Sequence, residues 1–421
     1  MGWWKSYAGD ERFSSSTLTV LIGIFAVLWL LWAIKKQRKA AVPPLPPGPR
    51  GLPIVGYLPF IGTELHIKFE QLCGIYGPIY KVWFANKLCI VISSPSLVKE
   101  VVRDQDALFS NRDVNKAVLA ITYGGVDIAF SPNGPNWKML RKMFVREMLS
   151  PSNLDTTFTL RREEMKSLAK AKEDGKTKTG RKDFLQVLLE IKEQNNGAYS
   201  ISMTQLKAVL LDIVVGASDT ITTMSEWVMA RLMKHSETMR KVHEELTEIV
   251  GMDNLVEESH LPKLQYLDAV IKETFRLHPP FPFLVPRTPS ESCIIGGYHV
   301  PKGSSIFVNV WAIQRNSKYW DNPLEFIPER FLNDGYGRVD YSGNNFKYFP
   351  FGSGRRICAG LTLGERTLKY ILASFLHSFE WKLPLGSKID VSDTYGVVTK
   401  KKNPTVAIPT PRLSKSELYT E

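Results

Sequence analysis

Residues 351 to 360 read FGSGRRICAG, and this stretch decides the fold. It carries Phe351, Gly354, Arg356, Cys358 and Gly360 at the spacing F-x-x-G-x-R-x-C-x-G. Five specified residues at fixed spacing arise by accident in under ~0.1% of chains of this length. An isolated cysteine is usually a small buried hydrophobic residue, but that interpretation leaves the surrounding pattern unexplained. The pattern therefore favours a functional cysteine.

The loop resembles the haem-binding signature of the cytochrome P450 superfamily. In that family the cysteine thiolate is the proximal iron ligand and pushes electron density toward O–O cleavage. The resemblance implies heme b (iron protoporphyrin IX) with Cys358 as metal ligand. Gly354 and Gly360 would permit a tight turn close to the porphyrin, Phe351 completes the motif, and Arg356 would pair with a haem propionate.

Further segments match the family in the right chain order. Glu273 and Arg276 in KETFR resemble its ExxR pair, which with Arg330 of the PERF segment would form a buried ion triad. ExxR alone is not specific, because it recurs at Glu100–Arg103 and Glu237–Arg240. The position before two prolines and the downstream PERF segment favour the first pair.

The resemblance also implies contacts to the haem propionates. Trp137 and Arg141 in WKMLR match the WxxxR of the helix that crosses the haem edge, and Arg287 in VPR resembles a third contact. The alternative for WKMLR is an ordinary amphipathic surface helix.

The segment GASDT, residues 216 to 220, resembles the oxygen-activation motif of the family. Asp219 and Thr220 would be the catalytic pair that delivers protons. Ala217 departs from the usual glycine and would narrow the oxygen groove. The alternative is a polar interruption in a buried helix.

Composition excludes several classes of protein. The 421 residues are 44% hydrophobic and carry 54 Lys+Arg against 42 Asp+Glu, a net charge of +12. No long basic run predicts a nucleic-acid surface. The four cysteines are too irregularly spaced for a disulfide scaffold or a zinc finger, and a reducing compartment fits them best; they are Cys73, Cys89, Cys293 and Cys358.

The N-terminus predicts a membrane anchor. Residues 18 to 34 form an uncharged apolar run, about 26 Å long as a helix at ~1.5 Å per residue. KKQRK at 35 to 39 predicts that the C-terminal side stays cytosolic, as in a single-pass endoplasmic-reticulum protein. A cleaved signal peptide would need the reverse flanks. We therefore expect an anchor with its basic flank at 1–42 and a stiff proline-rich hinge at 43–53; a proline-rich ligand for a signalling module is the alternative for the hinge.

The remainder, 54–421, predicts one haem-thiolate catalytic domain that is mainly α with a minor β-sheet region, as in the cytochrome P450 fold. Residues 161 to 183 are nearly all charged or small and predict an exposed linker. The other predicted elements are a hairpin over 79–93, a helix over 96–103, and strands around Gly296 and Gly297. Ser202 and Gln205 predict a capping box at the start of a long helix that runs to about Lys234. Two more helices are predicted over 236–251 (capped by Ser236) and 264–277.

Compared with the family, about 80 to 90 residues are missing at the linker, where the helices that roof the substrate pocket belong. The rest of the sequence is most similar to plant microsomal members of the family that hydroxylate terpenoids and related specialised metabolites, near cadinene hydroxylase. The apolar pocket walls predict a hydrophobic substrate; they are expected at 117–123, on the helix of Gly216, at 281–285 and at 395–398.

The resemblance implies a monooxygenase that uses dioxygen and receives NADPH electrons through NADPH-cytochrome P450 reductase. Basic residues on the cysteine side would form the docking surface; they are Lys138, Arg141, Lys142, Arg146 and Arg355. A truncated, catalytically silent haem protein or splice product is the alternative that the missing segment raises. A peroxide-rearranging relative is disfavoured by Asp219 and Thr220.

Overall fold

The alternating residues 79 to 92 form a hairpin in the computed structural model, which describes residues 20–30, 43–169, 184–194, 199–332 and 339–419. Strands β1 (Ile79–Phe84) and β2 (Lys87–Ile92) pair antiparallel, from Ile79↔Ile92 to Phe84↔Lys87. Strand β7 (Ser305–Val308) runs parallel to β2. With β3 (Asn111–Arg112) and β4 (Arg287–Thr288) they form a sheet of order β1-β2-β7-β4-β3.

Three two-stranded sheets complete the β structure of the described residues. Strands β5 (Cys293–Ile295) and β6 (Tyr298–Val300) flank Gly296 and Gly297, whose φ angles of +54° and +80° suit a tight hairpin turn. The other two pairs are β8 (Phe379–Lys382) with β11 (Ile408–Pro411), and β9 (Asp393–Thr394) with β10 (Lys400–Lys401).

Helices supply most of the fold. Helix α1 (Val20–Leu30) is short and apolar. The remaining helices of the described residues are α2 (Leu65–Tyr76), α3 (Pro95–Lys99), α4 (Lys116–Ile121), α5 (Pro135–Met143), α6 (Pro151–Thr156), α7 (Phe158–Ala169), α8 (Phe184–Gln194), α9 (Met203–Lys234), α10 (Ser236–Val250), α11 (Gln265–Leu277), α12 (Val310–Gln314) and α13 (Leu361–Ser378). Short π turns extend α3 and α5, at Glu100–Asp104 and Phe144–Met148.

Helix α9 is the longest, at 32 residues, and begins at the predicted capping box. The Ser202 hydroxyl accepts the Gln205 amide at 3.1 Å while the Ser202 amide donates to Gln205 Oε1 at 2.9 Å. Its second half packs Met224, Trp227 and Val228 into the core that α10, α11 and α13 share. By length and composition α9 could cross a membrane, but this packing makes it a core helix of the domain.

Two local predictions need correction. Residues 161 to 169 belong to α7 instead of a linker, because the Arg161 guanidinium reaches Glu258 at 2.7 Å and both side chains are largely buried. The rest of that predicted linker, 170 to 183, lies outside the described residues. Ser236 is the first residue of α10, and His235 occupies the capping position without a side-chain hydrogen bond.

The predicted hinge lies against the sheet. The Lys81 amide of β1 donates to the Pro47 carbonyl at 2.7 Å, and the His299 amide of β6 donates to Pro44 at 2.9 Å. Pro46 and Pro49 are buried. Proline carbonyls can accept such bonds although the proline nitrogen cannot donate, so the segment is hydrogen-bonded to strands of two sheets. The basic flank at 35 to 39 lies outside the described residues.

Candidate active site

The loop of residues 351 to 360 is a compact turn closed by its own backbone. The Cys358 amide donates to the Phe351 carbonyl at 2.9 Å, and the Ile357 amide donates to Gly354 at 3.1 Å. Gly354 has φ of +67°, and a Cβ there would lie 2.3 Å from the Val102 carbonyl oxygen. Only glycine therefore fits this position.

Cys358 lines a cavity immediately before α13 begins at Leu361. Its side chain is accessible from the cavity, although protein atoms surround it on the other sides. Burial raises the pKa of the thiol, while the Gly360 amide and the charge of Arg141 oppose that shift. These two groups would stabilise a thiolate once a metal ion is bound.

The cavity has a volume of about 310 Å³, within the range of small-molecule pockets. The Cys358 loop with the start of α13, the middle of α9 and residues 280 to 285 supply much of its walls. Most of the lining is apolar; it includes Phe144, Leu149, Phe184, Ala217, Ile221, Met224, Phe275, Phe281, Leu284, Val285, Val308, Phe351 and Leu363.

Four arginines also line this cavity: Arg112, Arg141, Arg287 and Arg356. Arg141 donates to the Ile357 carbonyl at 2.5 Å. Arg287 donates to Ser353 at 2.7 Å and pairs with Asp106 at 3.1 Å. Arg112 was not among the predicted residues, and it donates to Ala129 at 3.1 Å and Val285 at 2.6 Å.

Arg356 is buried and reaches three backbone carbonyls. It donates to Ser110 at 2.7 Å, to Ser131 at 2.5 Å and to Ile128 at 3.3 Å. Its guanidinium lies 4.0 Å from the centre of the Trp137 ring. Trp137 itself donates to Ile128 at 3.0 Å and is not among the cavity-lining residues, so the structure places it behind Arg356.

These arginines carry more buried positive charge than their carboxylate neighbours offset. Burial, followed by repulsion from the other arginines, lowers the pKa of Arg356 to about 10 and that of Arg112 well below its usual range. Asp127 and Asp106 are the carboxylates that oppose this shift at Arg356. A ligand with anionic groups would relieve the repulsion.

The ion triad is assembled below the cavity. Arg276 makes a two-pronged contact with Glu273, at 2.7 and 2.8 Å, and Arg330 reaches Glu273 Oε1 at 3.2 Å. The remaining donors of Arg276 bond the carbonyls of Gln314, Pro323 and Glu325. All three charged side chains are buried, so the triad ties α11 to the segment around Pro328–Phe331.

The predicted proton-delivery pair is divided. Thr220 lines the cavity, and its hydroxyl donates to the Gly216 carbonyl at 2.6 Å. Asp219 is not among the lining residues and forms an ion pair with Lys400 at 2.5 Å; about half of each side chain is exposed. The i, i+1 geometry of a helix turns neighbouring side chains about 100° apart, which accounts for the division.

Two predicted pocket walls are not part of this cavity. Neither 117–123 nor 395–398 contributes lining residues. Ile121 is 61% exposed, and Tyr395 packs on the Phe283 and His66 rings. Conversely, Asp212 lines the cavity and was not predicted. Its position one turn before Gly216 on the same helix was the available signal.

A family model described as Cytochrome P450 matches residues 46–179 and 163–408. The chain belongs to the cytochrome P450 family. The mainly helical fold and the assignment as a P450 monooxygenase that the Cys358 motif predicted are confirmed. The cofactor of this family is a haem with an axial cysteine thiolate, and NADPH supplies electrons through a reductase.

Curated relatives are plant hydroxylases. A flavonoid 3'-monooxygenase of Crocosmia x crocosmiiflora is 33% identical over 498 residues, covering 94% of this chain and 97% of the relative. A flavonoid 3',5'-hydroxylase of Campanula medium is 30% identical over 486 residues, covering 89% and 93%. A zebra fish cytochrome P450 solved with abiraterone has a TM-score of 0.72 and 25% identity, over 82% of this chain and 99% of that one.

The first of these alignments supports an internal gap. It extends over 498 positions against a chain of 421 residues, so this chain lacks at least 498 − 421 = 77 of them. The two segments of this chain that match the family model overlap at residues 163–179. That position coincides with the predicted deletion.

The residues present fit the family's cofactor. Cys358 offers a soft sulfur ligand on the cavity wall, and the surrounding apolar side chains suit a porphyrin ring. The four arginines offer the cationic partners that two propionates require.

Proposed function

We propose that the protein is a haem-thiolate monooxygenase that hydroxylates a small hydrophobic plant metabolite, terpenoid- or flavonoid-like, with dioxygen and reductase-supplied electrons. One observation carries the proposal. Cys358, four arginines and Thr220 all line a single, mainly apolar cavity.

Each side chain has a distinct task in this proposal. Cys358 would hold the iron, and haem, when bound, would supply the activation of dioxygen. Arg141, Arg287, Arg356 and the additional Arg112 would neutralise the propionates, while Trp137 supports Arg356 from behind. Glu273, Arg276 and Arg330 hold the scaffold beneath the loop.

Proton delivery falls mainly to Thr220. Its hydroxyl lies on the cavity wall and can exchange its bond to the Gly216 carbonyl for one to a water or substrate oxygen. Asp219 would act from the protein surface, where it pairs with Lys400. Protons would then reach Thr220 from solvent by way of Asp219.

The substrate class follows from the lining. The predominantly apolar walls favour a hydrophobic molecule, with arginines confined to the cofactor. The relatives named as flavonoid hydroxylases favour a phenolic ring system. A terpenoid hydrocarbon is the competing substrate.

The membrane location rests on α1 and its flanks. We infer a single-pass anchor in the endoplasmic reticulum, with the catalytic domain on the cytosolic side. Lys138, Lys142, Arg146 and Arg355 are exposed and would form the reductase-docking surface. Arg141 leaves this set, because it turns toward Ile357 and the cavity.

A second candidate, a catalytically silent haem protein, is favoured by the internal gap and by the exposed face of α9. Val214 and Val215, beside the cavity-lining Gly216, are 63% and 57% exposed. Water reaching the haem would divert electrons into uncoupled oxygen reduction.

Microsomes containing the full chain and a reductase decide between the two candidates. Flavonoid and sesquiterpene substrates are incubated with NADPH under ¹⁸O₂, and products are analysed by mass spectrometry. The monooxygenase predicts a product containing one ¹⁸O atom that disappears without reductase. If NADPH is consumed and hydrogen peroxide is released, but no labelled product forms, the silent alternative is established. Product formed only with added peroxide would instead favour the reductase-independent relative.

A further inference from the structure

Two aspartates outside the predicted set meet beside the arginines. Asp212 lies on α9 one turn before Gly216 and lines the cavity. Asp127 is fully buried in the segment that precedes α5. The two carboxyl groups lie close enough for each to shift the pKa of the other.

The amides of the loop of residues 127 to 131 face this carboxyl pair. The Ile128 amide donates to Asp212 Oδ2 at 2.6 Å. The Phe130 amide donates to both Asp127 oxygens at 3.2 Å. Two amides of one short loop therefore hold the two carboxyl groups.

The carbonyls of the same loop receive the cationic side chains. Ile128 accepts Arg356 and Trp137, Ala129 accepts Arg112, and Ser131 accepts Arg356. The peptide group between Ala129 and Phe130 therefore bridges the Arg112 guanidinium and the Asp127 carboxyl, while the carbonyls of Ile128 and Ser131 in the same loop hold Arg356. Hydrogen bonds arranged in this way polarise and strengthen one another in a low-dielectric interior.

Two carboxyl groups in contact resist carrying two charges. Burial and then the charge of Asp127 raise the pKa of Asp212 to about 7. Burial also raises the pKa of Asp127, opposed by the loop amides. The charge of Asp127 acts on two guanidinium groups that line the cavity and raises their pKa; they belong to Arg112 and Arg356.

We propose that Asp212 and Asp127 share one proton at neutral pH and position the arginines Arg112 and Arg356 for the haem propionates, through the peptide groups of residues 128 to 131. Asp212 is a positioning residue in this arrangement. The inference rests on the proposed function, because it assumes that those arginines hold the propionates.

The sign of the pH dependence follows from the raised pKa of Asp212. The pKa of Asp212 is raised when the two aspartates are packed against the loop of residues 127 to 131. Protonated Asp212 therefore stabilises this packing, fully at pH values below the ordinary pKa of an aspartate. The stabilisation is lost as the pH rises through about 7. Haem retention in the wild type is therefore expected to weaken between pH 6 and pH 8.

Haem release provides a readout independent of turnover. The purified full chain in detergent is mixed with excess apomyoglobin, and haem transfer is followed by absorbance at pH 6, 7 and 8. Asp212→Asn, which resembles the protonated acid, should release haem within about twofold of wild type at pH 6 and lose the acceleration toward pH 8. Asp212→Leu removes the acceptor of the Ile128 amide and should release haem about tenfold faster or more, as expected for ~1.4 kcal/mol. Asp253→Asn, an exposed carboxyl paired with Lys415 at 3.9 Å, is the matched control.

Release from Asp212→Leu at the wild-type rate would overturn the inference. So would equally fast release from Asp212→Asn and Asp212→Leu, since the amide preserves the neutral form. If the leucine variant does not fold, infrared spectroscopy decides: the wild type at pH 6.5 should show a protonated-carboxyl band that Asp212→Asn lacks, and no difference would reject the shared proton. The carbon monoxide spectrum of the wild type tests the proposed function separately, so the two failures are distinguishable.

Discussion

The cysteine side and the α9 side of the cavity differ in how completely their side chains are satisfied. On the cysteine side, Arg356 and the Glu273–Arg276 pair are buried and hydrogen-bonded throughout. On the α9 side, Val214 and Val215 are exposed, and Asp219 pairs with a surface lysine. We therefore expect that substitutions on the two sides will affect haem binding and the control of its chemistry separately.

The separation has a physical basis. The cysteine loop is stabilised by its own backbone bonds, by α13 and by the ion triad, all drawn from residues 265 to 378. The gap at 163–179 falls before these elements in the chain. The chain therefore retains the local interactions of the cysteine loop, while the α9 side of the cavity rests on a more exposed helix.

The largest effect is expected at the iron ligand. Cys358→Ala should abolish the thiolate spectrum completely, because no other described cysteine lines the cavity. Cys293→Ala, in strand β5, is the control and should leave the spectrum unchanged. A thiolate signal that remains in Cys358→Ala would contradict the assignment of Cys358 as the iron ligand.

The ion triad comes next. Arg276→Ala leaves Glu273 buried without its main partner and should destabilise the fold by ~3–5 kcal/mol, measured by thermal or urea unfolding. Arg240→Ala is a matched control, because Arg240 pairs with Glu237 at the same ExxR spacing but on the surface. We expect no measurable change there. Equal effects of the two substitutions would show that burial does not distinguish these pairs.

On the α9 side, Thr220→Val should lower the product formed per NADPH on the order of 10²-fold, as loss of a positioned proton donor does. Haem content should stay unchanged, which would sharpen the separation between the two sides. Thr222→Val is the control, since Thr222 is exposed on the same helix and bonds the Ser218 carbonyl. A parallel loss of haem in Thr220→Val would contradict the separation.

The smallest effect concerns electron delivery to the cysteine side. The double substitution Lys142→Glu and Arg146→Glu should raise the reductase concentration for half-maximal turnover several-fold, and less at high salt. Lys302→Glu reverses an exposed charge elsewhere and should change nothing. If the salt dependence of turnover is unaltered in the double variant, Lys142 and Arg146 are not part of the reductase-docking surface.

The sequence predicted best where chemistry specifies residues at fixed spacing. The FGSGRRICAG loop predicted the family and cofactor, and the capping box at Ser202 predicted the start of α9. Glu273 and Arg276 could be separated from other ExxR pairs only through the neighbouring prolines and PERF segment. Local patterns of this kind can be recognised in a sequence because few other residue types fit the same backbone geometry.

Contacts between distant segments were beyond such patterns. Arg112, Asp127 and Asp212 lie far apart in sequence, and only folding brings them together at the cavity. Residues 161 to 169 have the composition of a linker, yet burial of Arg161 against Glu258 favours a helix. Residues 117 to 123 and 395 to 398 were expected to line the cavity from family order alone, and the fold directs them elsewhere.

The central claim is that the chain, despite its internal gap, holds a haem through the Cys358 thiolate. The carbon monoxide difference spectrum of the reduced, full-length protein tests it most directly. The account predicts a thiolate-type Soret band that disappears in Cys358→Ala and persists in Cys293→Ala. A thiol-type band, or a purified protein that contains no haem, would contradict it.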